Sequence, residues 1–245
     1  MIRFEAVEKR FGRNEVLRGL DLEVPAGQTT VIIGRSGSGK SVLLKHIVGL
    51  LKPDRGRVLV DGLAVHELAP DELTRLRGRI GYVFQFAALL DSLTVGDNVR
   101  LGLRRRGLPE DEIEARVQGC LELVGLAGQV ERLPAELSGG MRKRAGIARA
   151  LALRPDYILF DEPTTGLDPV TTASMDALML QSRRQFGATC VIVSHDMASV
   201  FAVADRIAML HDGRIRQAGT PEQIRESDDA VVRGFIEGRA EEAAA

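Results

Sequence analysis

Residues 34–41 read GRSGSGKS and residues 157–162 read YILFDE. The first stretch fits G-x-x-x-x-G-K-[S/T], between the short apolar run TTVIIG at 29–34 and a helical pattern starting near Lys40. Glycines let backbone amides turn inward and approach an anion closely. Gly34, Arg35, Ser36, Gly37, Ser38, Gly39, Lys40 and Ser41 therefore form a candidate cradle for a nucleoside triphosphate. Amides from Gly37 to Ser41 would wrap the β-phosphate, and the helix start adds partial positive charge. Lys40 would reach the β- and γ-phosphates, and the Ser41 hydroxyl would ligate Mg²⁺. In the second stretch four apolar residues bury a strand that ends on two acids. Asp161 would hold the Mg²⁺ shell, directly or through water, and Glu162 would orient and polarise an attacking water. A turn-forming or capping acid before Pro163 is the other reading of Glu162. The two motifs predict triphosphate and Mg²⁺ binding, but they do not separate kinases, motors, switches and transporter engines.

Several elements must hold these residues. Apolar and polar residues alternate in IRFEAV and LDLEV, so residues 1–30 are expected as antiparallel strands and turns. Short, fully apolar runs at 29–34, 157–161, 189–194 and 206–210 alternate with helical patterns, including one at about 170–185. That alternation predicts a parallel sheet covered on both faces. Residues 86–155 are mostly helical in pattern, with a helix start near Pro109, and are expected as an inserted helical subdomain. The expected organisation is one domain over 1–238, with 239–245 a frayed tail. The chain has 245 residues and a net charge of −1, which gives no bulk signal for nucleic acid. It shows no apolar run of membrane-spanning length and no signal-peptide pattern at its start, and is expected in the cytoplasm. Cys120 and Cys190 lack metal or redox spacing and are expected as reduced structural residues.

Further motifs bring a family into view. LSGGM lies at 137–141, GLDP at 166–169, VSHD at 193–196 and FQ at 84–85, all in one order with the two stretches above. Along nearly its whole length the chain resembles the ATP-binding-cassette (ABC) ATPases. The resemblance implies a P-loop NTPase fold of the ABC type. Its core sheet is mixed and mainly parallel, with an N-terminal antiparallel β subdomain and an inserted α-helical subdomain. It implies that Phe11 stacks on adenine, with Val16 nearby. It implies that Gln85 reaches Mg²⁺ and the water, and that His195 contacts the γ-phosphate. Asp168 would lie in the loop where two subunits meet, a role compatible with capping the helix after it. Ser138, Gly139 and Gly140 would face the γ-phosphate held by a partner subunit. Read from the residues, a hydroxyl and bare amides at a helix start form an anion site. Arg142, Lys143 and Arg144 sit in the first turn, where the helix dipole disfavours cations. An anion ahead of them would explain the placement; a solvated basic face is the alternative. One phosphate loop and one signature imply a head-to-tail homodimer burying two ATP molecules.

At finer grain the chain resembles the ATPases of Mla-type phospholipid transporters. GKSVLLKHIVGLLKPDRGRVLVDG, FQFAALLDSLTVGDNV, LSGGMRKRAGIARALAL and TPEQIRESDDAVVRGFIEG carry this likeness. It implies transmembrane permease subunits, a Mce-domain lipid-binding subunit and a peripheral place on the cytoplasmic face of the inner membrane. Met141, where most cassettes have Gln, fits the same subgroup. An importer of another solute such as amino acids is the first alternative, and a soluble cassette acting on ribosomes or DNA the second. Phe86, Leu89, Leu90 and Leu93 suit docking of a partner helix or the core of the helical insert. Arg104, Arg105 and Arg106 suit lipid headgroups or a solvated helix end.

Overall fold

The structure, a computed structural model, describes residues 1–239 and divides into two compact units. Residues 240–245 of the expected frayed tail lie outside the described residues. The first unit comprises Met1–Thr74 together with the chain from Thr189 onward, and the second comprises Arg75–Ala188.

The N-terminal part of the first unit opens on β1 (Ile2–Phe11) and β2 (Asn14–Val24), followed by β3 (Thr29–Ile33), α1 (Lys40–Ile47), β4 (Arg55–Val60) and β5 (Leu63–Ala64). Strands β2, β1, β4 and β5 lie in that order in an antiparallel sheet. Ile2 and Phe4 are buried while Arg3 and Glu5 between them are not, as period-two alternation requires; an irregularity at Ala6 (φ +46°) then shifts the phase so that Val7 is buried in turn. In contrast, all five residues of β3 are buried. Helix α1 buries Leu43, Leu44 and Ile47, but also His46, whose Nδ1 lies 2.7 Å from the Val42 carbonyl. The apolar pattern predicts burial all round; Leu50, just beyond the helix, is instead 57% exposed.

Helix α2 (Pro70–Arg77) crosses the division in sequence. The second unit continues with β6 (Ile80–Val83), α3 (Val95–Arg104), α4 (Glu110–Leu123), α5 (Gly139–Leu151), β7 (Tyr157–Asp161) and α6 (Pro169–Phe186). β6 and β7 are parallel, with Val83 opposite Phe160. The helices start where the local chemistry says they should. Thr94, Ser138 and Asp168 accept first-turn amides as N-caps, and Glu110, Asp111 and Glu112 place acids against the positive end of α4.

The first unit resumes with β8 (Thr189–Val193), α7 (Met197–Val203), β9 (Arg206–His211), β10 (Arg214–Gly219), α8 (Pro221–Arg225) and α9 (Ala230–Ile236). β3 is parallel to both β8 and β9, and β10 closes antiparallel on β9. All five residues of β8 are buried like those of β3, the mark of parallel strands covered on both faces. The chain is thus α/β, with an antiparallel sheet, mixed but mainly parallel core strands, and helices.

Candidate functional site

In the first unit, β3 delivers the chain to the glycine-rich loop at Gly34. Here φ is +153°, and a Cβ would lie 2.4 Å from the Leu210 carbonyl oxygen of β9. Only glycine lets the loop leave the sheet so close to a neighbouring strand. A turn closes from Ser38 N–H to the Arg35 carbonyl, and Lys40 Nζ donates to the carbonyls of Gly34 (2.7 Å) and Arg35 (2.9 Å). The lysine is therefore tethered across the loop it follows, with only 6% of its surface exposed. Helix α1 begins at Gly39 without a side-chain cap. Val16 packs on this turn: a Cβ on Gly39 would stand 2.6 Å from Val16 Cγ1. A cleft of about 350 Å³ runs beside the loop, lined by Val16, Arg35, Ser36, Gly37, Ser38 and Asp212 among others.

His195 follows β8, which runs beside β3 with Val193 opposite Ile32. Ser194 N–H donates to the Ile32 carbonyl (3.3 Å), and the Ser194 hydroxyl accepts Asp196 N–H (3.1 Å). The residues flanking His195 are thus fixed while its ring is exposed at the same strand ends as the loop. Phe11 ends β1 with 46% of its surface exposed, and Lys9 Nζ lies 5.7 Å from the ring centroid. An exposed aromatic face at a hairpin tip can stack on a planar ring.

In the second unit, β7 carries Asp161, only 9% exposed, and then Glu162. Tyr82 of β6 donates its hydroxyl to Asp161 Oδ2 (3.1 Å). Burial, and then the Asp161 charge, hold the phenol well above its usual range, so it remains a donor. Glu162 has φ +52°, the left-handed region, and its Oε2 accepts the Thr165 hydroxyl (2.9 Å). Gln85 lies two residues beyond Val83, as Glu162 lies two beyond its partner Phe160, so the parallel register brings both to the same end of this strand pair. After Gln85 the chain turns through Ala87 (φ +60°) and Ala88 (φ +48°), and Arg149 of α5 donates to the carbonyls of both (2.9 and 2.6 Å).

The signature residues open α5. Ser138 Oγ accepts Met141 N–H (3.3 Å), so the hydroxyl is already the N-cap. The two glycines differ. A Cβ on Gly139 would meet open space, whereas one on Gly140 would come within 3.1 Å of Thr171 Cγ2 in α6. Asp168 caps α6 through Val170 N–H and Thr171 N–H (both 3.0 Å) and accepts the Thr171 hydroxyl (2.5 Å). These bonds hold its carboxyl below the usual range, the Thr171 hydroxyl contributing most.

The basic first turn of α5 has a different explanation from either one expected. Arg142 donates to the Leu137 carbonyl, Lys143 to the carbonyls of Glu162, Pro163 and Thr165, and Arg144 to the Val124 carbonyl and Ser174 hydroxyl. No anion ahead of the helix is needed to account for them, and they are not simply solvated. Burial pushes the Lys143 ammonium down, opposed by the Glu162 charge. The apolar run after Gln85 divides as well: Phe86 is 86% and Leu90 46% exposed, while Leu89 and Leu93 are half-buried. Buried Asn98 holds the turn between them, accepting Leu90 N–H and donating to the carbonyls of Leu90, Leu93 and Thr94. Of the arginine triple, Arg106 donates to the carbonyls of Gly78 and Leu153, and Arg104 pairs with Glu110. Tyr82, Asn98 and Arg149 were not visible as site residues in the sequence, and Lys143 was visible only as one of three basic residues in the first turn of α5; the β6–β7 register is the one signal that could have pointed to Tyr82.

The loop chemistry suits a triphosphate on observations of its own. Ser38 Oγ is buried without a hydrogen-bond partner beside Gly34, a polar atom awaiting a donor or acceptor in the cradle. Ser41 in the first unit, and Gln85 and Asp161 in the second, carry oxygens of the hard kind Mg²⁺ takes, and Mg²⁺ needs few protein ligands because it keeps water and phosphate ligands.

A phosphate loop at the end of a buried parallel strand defines a nucleoside-triphosphate-binding α/β protein. The family model described as ABC transporter matches residues 17–165, and the chain belongs to the ABC transporter ATP-binding family. It is 42% identical over 239 residues to the "Probable ribonucleotide transport ATP-binding protein mkl" of Mycobacterium leprae, covering 97% of this chain and 69% of that protein. It is likewise 42% identical over 236 residues to the "Methionine import ATP-binding protein MetN" of Rhizobium johnstonii, covering 96% of this chain and 65% of that protein. The chain thus spans about two thirds of the length of these relatives. Among solved structures it resembles the ATP-binding cassette MJ0796 in a dimeric post-hydrolysis state bound to ADP and Pi. That match has TM-score 0.82 and 34% identity over 90% of this chain and 98% of the other. It also resembles cbiO1 of Clostridium perfringens, part of the ABC transporter complex cbiONQ, at TM-score 0.85 and 29% identity over 96% of this chain and 94% of the other. The chain is an ABC ATPase: it binds ATP, with Mg²⁺, and hydrolyses it. Among the described residues no helix is long and apolar enough to cross a membrane.

Proposed function

We propose that the chain is the ATP-hydrolysing subunit of a membrane transporter that moves phospholipids or related lipids. Residues 1–238 would work as one cassette domain with an inserted helical part. The observation that carries the nucleotide chemistry is the tethered Lys40 over the Gly34–Ser41 loop. Gly34, Arg35, Ser36, Gly37, Ser38 and Gly39 hold the phosphates, Lys40 transfers its hydrogen bonds from loop carbonyls to phosphate oxygens, and Phe11 and Val16 receive the adenine. Ser41, Asp161 and Gln85 would hold Mg²⁺, which neutralises phosphate charge when bound. Tyr82 keeps the Asp161 carboxylate oriented, Glu162 orients the attacking water, and His195 meets the γ-phosphate. Ser138, Gly139 and Gly140 act on a nucleotide held by a second copy, and Asp168 lies in the loop where the copies meet. The dimeric relative of known structure supports a homodimer; it would close on ATP and open once hydrolysis has removed the γ-phosphate bridge.

Cargo would pass through transmembrane permease subunits, which the complex containing cbiO1 supports. Exposed Phe86 and Leu90, beside Gln85, suit docking of a permease helix. Lipid cargo, with a Mce-domain subunit and a place on the cytoplasmic face of the inner membrane, rests on the four stretches shared with Mla-type ATPases, Met141 included. The relatives named for methionine import favour a second reading, an amino-acid importer, and the relative named for ribonucleotide transport a third. The experiment is capture of the tagged chain from solubilised membranes, followed by identification of bound subunits and lipid. A Mce-domain partner with copurified phospholipid is expected. A partner set lacking both, with ATPase activity stimulated by methionine or a ribonucleotide, refutes the lipid reading.

A further inference from the structure

The loop from Glu162 to Gly166 is an unusual piece of backbone. It enters the left-handed region at Glu162 (φ +52°) and again at Gly166 (φ +77°), so carbonyls that would otherwise diverge turn toward one side. On that side lies Lys143, half-buried in the first turns of α5, five residues after Ser138. Its Nζ donates to the carbonyls of Thr165 (2.7 Å), Pro163 (3.0 Å) and Glu162 (3.4 Å). An ammonium is the one side-chain group with three donors on a single atom. Within the loop, Thr165 N–H donates to the Glu162 carbonyl (3.4 Å) and the Thr165 hydroxyl to Glu162 Oε2 (2.9 Å). Lys143 thus grips both residues of the Thr165–Glu162 contact, which engages the Glu162 carboxylate.

We infer that Lys143 is a positioning residue for hydrolysis: from the signature helix it holds the strained Glu162–Thr165 turn in the shape that aims the Glu162 carboxylate. This rests on the reading of Glu162 as the residue that orients water. A left-handed glutamate is strained and persists only where its surroundings over-determine it. Three charge-assisted bonds from a half-buried cation supply that determination. The helix that begins at Ser138 and the acid that follows β7 are therefore one mechanical part within the same chain, so a displacement of the helix start reaches Glu162 through Lys143.

The test compares the purified wild-type chain with K143M, K143Q, K143R and E162Q by hydrogen exchange and by ATPase kinetics. K143M keeps the length of the side chain and removes its donors. Without nucleotide, its amides over 162–167 should exchange faster while the rest of α5 stays protected. Its kcat should fall on the order of 10–100-fold, because small misplacements of a catalytic group have effects of that size. KM for ATP should stay within about twofold, the pattern of a lost transition-state interaction. K143R should regain most of the turnover and K143Q should fall between. Wild-type exchange and kcat in K143M would overturn the inference. So would a loss in which KM, melting temperature and kcat move together without recovery in K143R. If K143M does not fold, K143Q, with two donors left, decides by the same criteria. E162Q separates the two levels: wild-type turnover there removes the role of Glu162, whereas a stalled E162Q beside a fully active K143M removes only that of Lys143.

Discussion

Replacing Gly34 with alanine isolates how the phosphate loop leaves the sheet. The backbone there has φ +153°, a region L-residues rarely occupy, which carries about 1–3 kcal/mol of strain for alanine. The new Cβ would stand 2.4 Å from the Leu210 carbonyl oxygen, where real Cβ contacts are essentially never under 3.0 Å. Leu210 sits in β9 with 1% of its surface exposed, so the obstacle is packed backbone rather than a side chain that can swing away. A shift of about 0.6 Å in a close-packed sheet, with overpacking at ~1–3 kcal/mol, brings the total to roughly 2–6 kcal/mol. Gly37 is the control. Its φ is +79° but a Cβ there meets nothing within 4 Å, so G37A should cost only about 1–2 kcal/mol. Urea unfolding at constant m-value measures both. Because Gly34 also supplies the carbonyl that tethers Lys40, G34A should bind a fluorescent ATP analogue at least about tenfold more weakly. Equal stabilities for G34A and G37A, or a G34A protein within about 0.5 kcal/mol of wild type, would refute the close-approach reasoning.

Other outcomes follow from the same geometry. E162Q should bind ATP and stall hydrolysis, accumulating a dimer by size-exclusion chromatography with ATP; wild-type turnover in that variant would show that Glu162 is not the water-orienting group. R149M removes both bonds to the left-handed Ala87–Ala88 pair, so exchange at 85–90 should rise while α4 stays protected; unchanged exchange would mean that the turn holds itself. Burial raises the Cys120 thiol to about 11 from its ordinary 9.0. In a C190S background at pH 8, alkylation of the folded chain should therefore run roughly a hundredfold slower than in urea, following the thiolate fraction. The sign for stability follows: the unfolded thiol ionises first, so this contribution is intact below pH 9.0 and declines as pH rises toward about 11.

What was legible in the sequence were features written locally. YILFD is a strand over 157–161 because a run of buried apolar residues ends on charge, and Pro109 marks the start of α4 because proline fits ahead of a helix but not inside it. The phosphate loop was legible for the same reason, its spacing and its flanks being all on one stretch. The partners of Arg142, Lys143 and Arg144 were not legible because all but the Ser174 hydroxyl are carbonyls 5 to 22 residues away, and a backbone carbonyl leaves no trace in residue type. Ala87 and Ala88 give no warning of left-handed backbone, since alanine ordinarily avoids it; Arg149, sixty-odd positions downstream, is what holds them there. A side chain at Gly140 would press on Thr171 of the same chain, whereas one at Gly139 would meet open space, a difference that two adjacent glycines cannot express.

The left-handed Glu162 has an implication for anyone redesigning this chain. Glycine or asparagine would sit at that φ with less strain, so a search for thermostable variants that scores only the folded state would be drawn to replace the acid. The gain in melting temperature would come from discarding the one side chain proposed to aim the water. Position 162 should therefore be held fixed in any stabilisation library, and a library that enriches glycine or asparagine there would be recording a trade of turnover for robustness.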